Sequence, residues 1–281
     1  MNLFFTKTAI GYSHIITNKR CQDYSASYND EERTIITACD GHGGNVYIRS
    51  HLGAKFASEA LIDVLKDVDR YIFYKSKRET VAENIRLNVL CRWNALVEAH
   101  MEAHPISSRE LVELSESEIF SLRKTPVKAY GTTVNAAMIM GNKIFLVTLG
   151  DGGCFLLKGG AAIPAFEENE DEPVANITNS MCQDDAYKHL SVSIHDLSGY
   201  DGALVCTDGM INPYQSLENF GTSLVVPAVV SLLEGKTQEL GEFVSRVGDS
   251  LGIGDDVTLG ILLKGKVSTR AYQRSKSQSK I

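Results

Sequence analysis

Apolar positions along the chain fall into short runs and helical stripes, and their order outlines a fold. Thr34–Cys39 (TIITAC) is a β-branched, apolar run that reads as a buried strand. Ala203–Thr207 (ALVCT) and Val257–Leu263 (VTLGILL) have the same character. Further strands are predicted at Leu3–Ile10, Tyr24–Tyr28, Thr132–Met140, Lys143–Leu149 and Cys154–Lys158. Gly141-Asn142 and the run Gly150-Asp151-Gly152-Gly153 break the last three apart. Leu190, Val192 and Ile194 alternate as a half-buried strand. Between these blocks Val46, Leu52, Phe56, Ala60, Leu61, Val64 and Leu65 recur at helical spacing and predict a long amphipathic helix. A second helix, over 79–103, carries Val81, Ile85, Leu90, Trp93, Leu96, Val97 and Met101 in the same pattern and stops at Pro105. Ser107-x-x-Glu110 and Ser115-x-x-Glu118 have the capping-box pattern of short helices, and Pro126 closes the helical block. Residues 224–250 hold two more helical stretches. Strands cluster instead of alternating strictly with helices, which favours an α+β fold of packed sheets covered by helices over a doubly wound parallel sheet. No break in composition divides residues 1–263, so one domain is expected there, followed by a basic, disordered tail at 264–281.

Composition narrows the class. With 281 residues, 43% hydrophobic and 22% charged, the chain can bury a sizeable core without metal or disulfide staples, so a bound metal would serve chemistry. The 28 basic and 35 acidic residues leave a net charge of −7. Six of the bases and none of the acids lie in 264–281, so the body carries 22 against 35, a net of −13. An acidic body argues against a nucleic-acid footprint, and the basic tail lacks aromatic interleaving apart from Tyr272. Cys21, Cys39, Cys91, Cys154, Cys182 and Cys206 form no C-x-x-C pair, and the N-terminus lacks the basic and long apolar regions of a signal peptide. With no run approaching 18 apolar residues either, a reduced cytoplasmic protein without a membrane span is expected.

Candidate chemistry sits at strand ends. Asp40 follows TIITAC, Asp208 follows ALVCT, and Asp255 and Asp256 precede VTLGILL. A lone Asp-Gly after a strand is ordinarily a turn. Three buried strands ending in the same acid suggest carboxylates gathered by the sheets, where a hard divalent cation such as Mg²⁺ or Mn²⁺ offsets their repulsion. DGHGG (Asp40–Gly44) adds an imidazole that titrates near neutrality and glycines that leave room for a phosphate.

Five ordered motifs, three of them built around these acids, resemble a known family. CQDYSA (Cys21–Ala26), ACDGHGGN (Ala38–Asn45), YGTTVNAAMI with LVTLGDGG (Tyr130–Ile139, Leu146–Gly153), LVCTDGM (Leu204–Met210) and GDDVTLGIL (Gly254–Leu262) are similar, in that order, to type 2C metal-dependent protein serine/threonine phosphatases of the PPM family, and GYSH with CQD looks most like the bacterial branch. The resemblance implies a four-layer α-β-β-α sandwich with two central, mainly antiparallel sheets and a metal site at the strand tips. It implies two Mn²⁺ or Mg²⁺ ions with a site for a third, an activated water that attacks phosphoserine or phosphothreonine of a protein substrate, and a monomeric enzyme. Asp40 would bridge the two ions, the Gly41 carbonyl would bind one, Asp208 and Asp255 would hold the other, and Asp151 would belong to a third site. Asp23 would orient water, and His42 would protonate the leaving oxygen.

Three positions depart from the pattern. Asn18 stands where the family usually has a phosphate-gripping arginine, which leaves Lys19 or Arg20 as candidates, with Arg20 the substrate contact chosen here. Asn212 replaces an aspartate that helps the third ion, and Asp256 replaces a frequent asparagine. These departures keep two alternatives open: a catalytically weak pseudophosphatase or binding module, and a di-metal phosphatase of a small phosphorylated metabolite.

Overall fold

A computed structural model of the chain describes residues 2–166 and 178–272. The acidic loop Glu167–Glu172 lies outside the described residues. The strands are β1 (Leu3–Ala9), β2 (Ser27–Asn29), β3 (Arg33–Ala38), β4 (Val134–Met140), β5 (Lys143–Leu149), β6 (Gly153–Lys158), β7 (Ala161–Pro164), β8 (Ser191–Asp196), β9 (Gly202–Cys206) and β10 (Val257–Leu263). They pair antiparallel throughout into two five-stranded sheets, β1-β10-β9-β6-β7 and β2-β3-β4-β5-β8. The helices are α1 (Tyr12–Ile16), α2 (Ser50–Lys66), α3 (Arg70–Lys75), α4 (Arg78–Ala103), α5 (Glu116–Lys124), α6 (Ala186–His189), α7 (Leu217–Phe220), α8 (Val226–Leu233) and α9 (Thr237–Arg246).

Side chains alternate across a strand, so each central strand feeds two cores. Ile36 and Ala38 of β3, Ala137 and Ile139 of β4, and Leu156, Val205 and Leu262 of the other sheet fill the space between the sheets. On the outer face, Ile35, Met138 and Phe145 pack with Ala57 and Leu61 of α2 and Val89 and Trp93 of α4. Phe155, Leu204, Leu259 and Ile261 pack with Val229, Leu240 and Val244 of α8 and α9. Burying each such side chain contributes about 1.5–3 kcal/mol, which is why strands buried on both faces read as unbroken apolar runs. The result is the four-layer α-β-β-α sandwich expected from the sequence. No helix among the described residues is long and apolar enough to cross a membrane.

Several local outcomes differ from the pattern reading, which does not predict β7, α1, α3, α6 or α7. Tyr24 makes only an isolated bridge to Cys39, so the short strand there is Ser27–Asn29. Ser115 and Glu118 form the capping box of α5, but Ser107 starts turns instead of a helix. The reason is tertiary: both Glu110 oxygens accept from the buried Arg49 guanidinium, at 2.6 and 3.0 Å, which draws the segment inward. The stretch expected as a tail is packed as far as it is described. Val267, Ala271 and Tyr272 join the α8–α9 core, and the fully buried Tyr272 donates its hydroxyl hydrogen to Asp201 Oδ2 at 3.2 Å. Residues 273–281 lie outside the described residues.

Candidate active site

The strand registers bring the ends of β3, β5 and β9 and the starts of β4, β6 and β10 to one edge of the sandwich. Asp40 lies two residues beyond β3, Asp151 in the turn that carries the chain from one sheet to the other, and Asp208 just after β9. One carboxylate oxygen from each of the three lies within 4.8 Å of the others. Asp255, two residues before β10, bears electrostatically on both Asp40 and Asp208.

Few protein donors serve this cluster. Asp151 Oδ2 accepts from Thr178 Oγ1 at 2.6 Å, and Asp208 Oδ2 accepts from Asn212 Nδ2 at 2.9 Å. Burial, then repulsion from Asp23, Asp208, Asp151 and Asp255, raises the Asp40 carboxyl well above the ordinary carboxylate range. Burial and the charges of Asp151 and Asp255 raise Asp208. Asp23 is pushed up to about 8, chiefly by burial, although Thr207 Oγ1 donates to its Oδ2 at 2.8 Å and partly offsets this. Carboxylates that repel one another into holding protons are a donor set a hard divalent cation fits, because its charge replaces the protons. The buried Cys39 and Cys206 thiols are pushed upward by burial, so neither supplies a thiolate.

The DGHGG loop is held by its neighbours more than by its own sequence. The Asp40 carbonyl accepts from Thr133 N at 2.8 Å and Thr132 Oγ1 at 2.7 Å, and Asp40 N donates to Thr133 Oγ1 at 3.1 Å. His42 N donates to the Gly131 carbonyl at 3.1 Å. A Cβ on Gly41 would stand 2.7 Å from the Gln22 carbonyl oxygen and the Ser50 backbone, so only glycine fits between them. A Cβ on Gly131 would stand 2.9 Å from the His42 ring. The His42 ring packs on Tyr47, centroids 4.8 Å apart, and its Nε2 is buried with no hydrogen-bond partner. Burial lowers the His42 pKa, and the Asp151 charge pulls it the other way.

Of the residues singled out from the sequence, Asp23, Asp40, Gly41, His42, Asp151, Asp208 and Asp255 converge here. Asp256 is not one of the three clustered carboxylates, although its charge bears on Asp23. It is buried and accepts from Gly11 N at 2.7 Å, Gln22 N at 2.6 Å and His14 Nδ1 at 2.9 Å. Its oxygens thus accept hydrogen bonds at the position where the family frequently has asparagine. Asn18 sits at φ +53, a left-handed conformation that asparagine tolerates better than most residues. Arg20 is exposed, and its Nη1 lies 3.5 Å from His51 Nε2; it forms no ion pair with the acids among the described residues. Sequence reasoning assigned no role to Gln22, Thr132, Thr133 or Thr207. The available signal was adjacency, since Gln22 precedes Asp23 and Thr207 precedes Asp208.

With this geometry in hand, comparison with known proteins is decisive at one point. Residues 10–245 match the family model described as Protein phosphatase 2C. The chain belongs to the protein phosphatase 2C family. It is thus a protein phosphatase, and its β10 with Asp255 lies beyond the matched residues, placed by the sheet alone. No curated protein matches the chain. Among solved structures, a bacterial serine phosphatase matches with TM-score 0.59 at 15% identity, covering 95% of this chain and 99% of that one. Serine/threonine phosphatase Stp1 from Staphylococcus aureus matches with TM-score 0.59 at 15% identity, covering 95% and 96%. The catalytic domain of the serine threonine protein phosphatase PstP, in complex with 2 manganese ions, matches with TM-score 0.55 at 17% identity, covering 93% and 97%. At these identities the likeness is one of fold.

Proposed function

We propose that this phosphatase hydrolyses phosphoserine and phosphothreonine in proteins, using a pair of divalent cations, Mn²⁺ or Mg²⁺, at the strand-tip acids. The observation that carries the reading is the approach of Asp40, Asp151 and Asp208 to within 4.8 Å, beside a buried imidazole nitrogen with no partner. Asp40, the Gly41 carbonyl, Asp208 and Asp255 would hold the pair, and Asp151 would serve a further ion. When bound, the cations supply a water of lowered pKa and neutralise charge on the phosphoryl oxygens.

The chain's own groups do the rest. Asp23, held by Thr207, orients water from behind Asp40. His42 donates a proton from Nε2 to the departing serine or threonine oxygen. Burial holds this imidazole low, but a phosphoryl dianion beside it acts as Asp151 does and favours the protonated form. The sheets hold the acids on rigid strand ends, which suits a reaction that depends on placement. Arg20, an exposed cation beside His51, would contact the substrate. The six free cysteines, four of them buried, suit a reducing cytoplasm where the enzyme acts in signalling.

The test is a phosphopeptide panel set against small phosphorylated metabolites, with Mn²⁺ and with Mg²⁺. Cation-dependent release of phosphate from phosphoserine and phosphothreonine peptides is expected. Turnover of metabolites without turnover of peptides would overturn the substrate assignment.

A further inference from the structure

The DGHGG loop carries the proposed acid on a backbone that glycine makes permissive. Gly41, Gly43 and Gly44 flank His42, and glycine-rich segments lose the most conformational freedom on ordering. The His42 ring has no anchor at Nε2, which is buried and unpartnered. Its direction is therefore set through its main chain and its contact with Tyr47. Gly131 holds that main chain from one side, at His42 N.

One residue holds the other side. The Gln22 carbonyl accepts from Gly41 N at 3.2 Å, and Gln22 Nε2 donates to the His42 carbonyl at 3.0 Å. The same amide nitrogen donates to Ser50 Oγ at 2.7 Å, which ties the loop to the start of α2. Gln22 is itself fixed from the far sheet, because its N donates to Asp256 Oδ2 at 2.6 Å. Asp256 is clamped in turn by Gly11 N and His14 Nδ1. A continuous path of hydrogen bonds thus runs from the start of β10 through Asp256 and Gln22 to the backbone on both sides of the His42 Cα.

We propose that Gln22 is a positioning residue for His42, transmitting the rigidity of the β10 edge to the imidazole that protonates the leaving group. The proposal rests on the reading of His42 as that acid. Among the described residues, the Gln22 side chain hydrogen-bonds to neither the clustered carboxylates nor the His42 ring, only to the His42 carbonyl and Ser50 Oγ, so its effect is on aim. Misplacement by about 1 Å costs up to roughly a hundredfold in rate, and the loss falls on the step that needs the proton.

Two substrates separate that step from the others. A phosphothreonine peptide leaves as a basic alkoxide and needs the acid, whereas p-nitrophenyl phosphate leaves as a stable phenolate. Wild type, His42→Ala, Gln22→Met and Gln22→Asn are compared on both at saturating Mn²⁺, with the Mn²⁺ dissociation constant measured by calorimetry. Met keeps the bulk of Gln22 without its donors, and Asn withdraws the amide by one methylene if Met disturbs folding. His42→Ala is expected to lose about a hundredfold in kcat on the peptide and far less on the nitrophenyl ester. Gln22→Met is expected to lose about tenfold on the peptide and about threefold on the ester, with Gln22→Asn intermediate and Mn²⁺ affinity kept within about twofold. Equal losses on both substrates in the Gln22 variants, a loss confined to KM or to Mn²⁺ affinity, or no loss at all would overturn the proposal while His42→Ala still discriminates. Equal losses in His42→Ala would instead overturn the acid reading beneath it.

Discussion

Asp255 and Asp256 are adjacent carboxylates at the start of one strand, and they belong to two different kinds of region. Asp256 is saturated: two backbone N–H groups and an imidazole face its oxygens, all within 2.9 Å. Asp255 has one backbone donor, the N–H of Asp256 at 2.9 Å, and otherwise faces Asp40 and Asp208. A buried charge that finds its donors within the protein is structural. Half-buried or exposed carboxylates that find mainly one another remain available to a cation. The contrast reduces to a count of donors, and it can be attacked from either side.

The sharpest attack is Asp40→Asn. It is expected to lower kcat/KM on a phosphothreonine peptide by about a thousandfold, about 4 kcal/mol of transition-state stabilisation. The same variant is expected to melt at or above the wild-type temperature in chelator, because it removes a repelled charge; a lower melting temperature there would place Asp40 in the structural class. Asp256→Ala is the mirror case. Stranding His14, the buried Gly11 N–H and the part-buried Gln22 N–H is expected to cost about 3 kcal/mol in urea unfolding, with or without Mn²⁺.

A third prediction concerns pH. An acid whose folded pKa, about 8 for Asp23, lies above its ordinary 3.8 holds a proton in the folded state that the unfolded chain releases. Stability of the cation-free protein is therefore expected to fall as pH rises from about 4 to about 8, and saturating Mn²⁺ is expected to flatten that fall. Parallel melting curves across this range, with and without Mn²⁺, would contradict the crowded-acid picture. The smallest expected effect is Arg20→Ala, an exposed cation beside His51: about a threefold rise in KM with kcat held, read on phosphopeptides of differing charge.

Much of this was legible along the chain for physical reasons that differ by element. Lys143–Leu149 and Val257–Leu263 were readable to the residue because strands buried on both faces tolerate little besides apolar side chains. Asp40, Asp208 and Asp255 were readable as a group because each interrupts such a run at its tip. Ser107 misled because Arg49, distant in sequence, competes for Glu110. Tyr272 hid in a Ser/Lys-rich stretch whose composition says nothing of an aromatic seated in the α8–α9 core. Gln22 carried no signal beyond its place before Asp23, since an amide acts through partners that only the fold brings near.

The order of apolar runs, breakers and acids by itself determined the strands other than β7, the four long helical stretches and a set of carboxylates at strand ends, because these follow from side-chain period and turn chemistry. Only the tertiary structure decided which carboxylates meet. The turn at Asp151 crosses between sheets, the β10 edge meets the DGHGG loop through Asp256 and Gln22, and donors placed from 234 and 242 residues away make Asp256 a brace where its neighbour remains open to a cation.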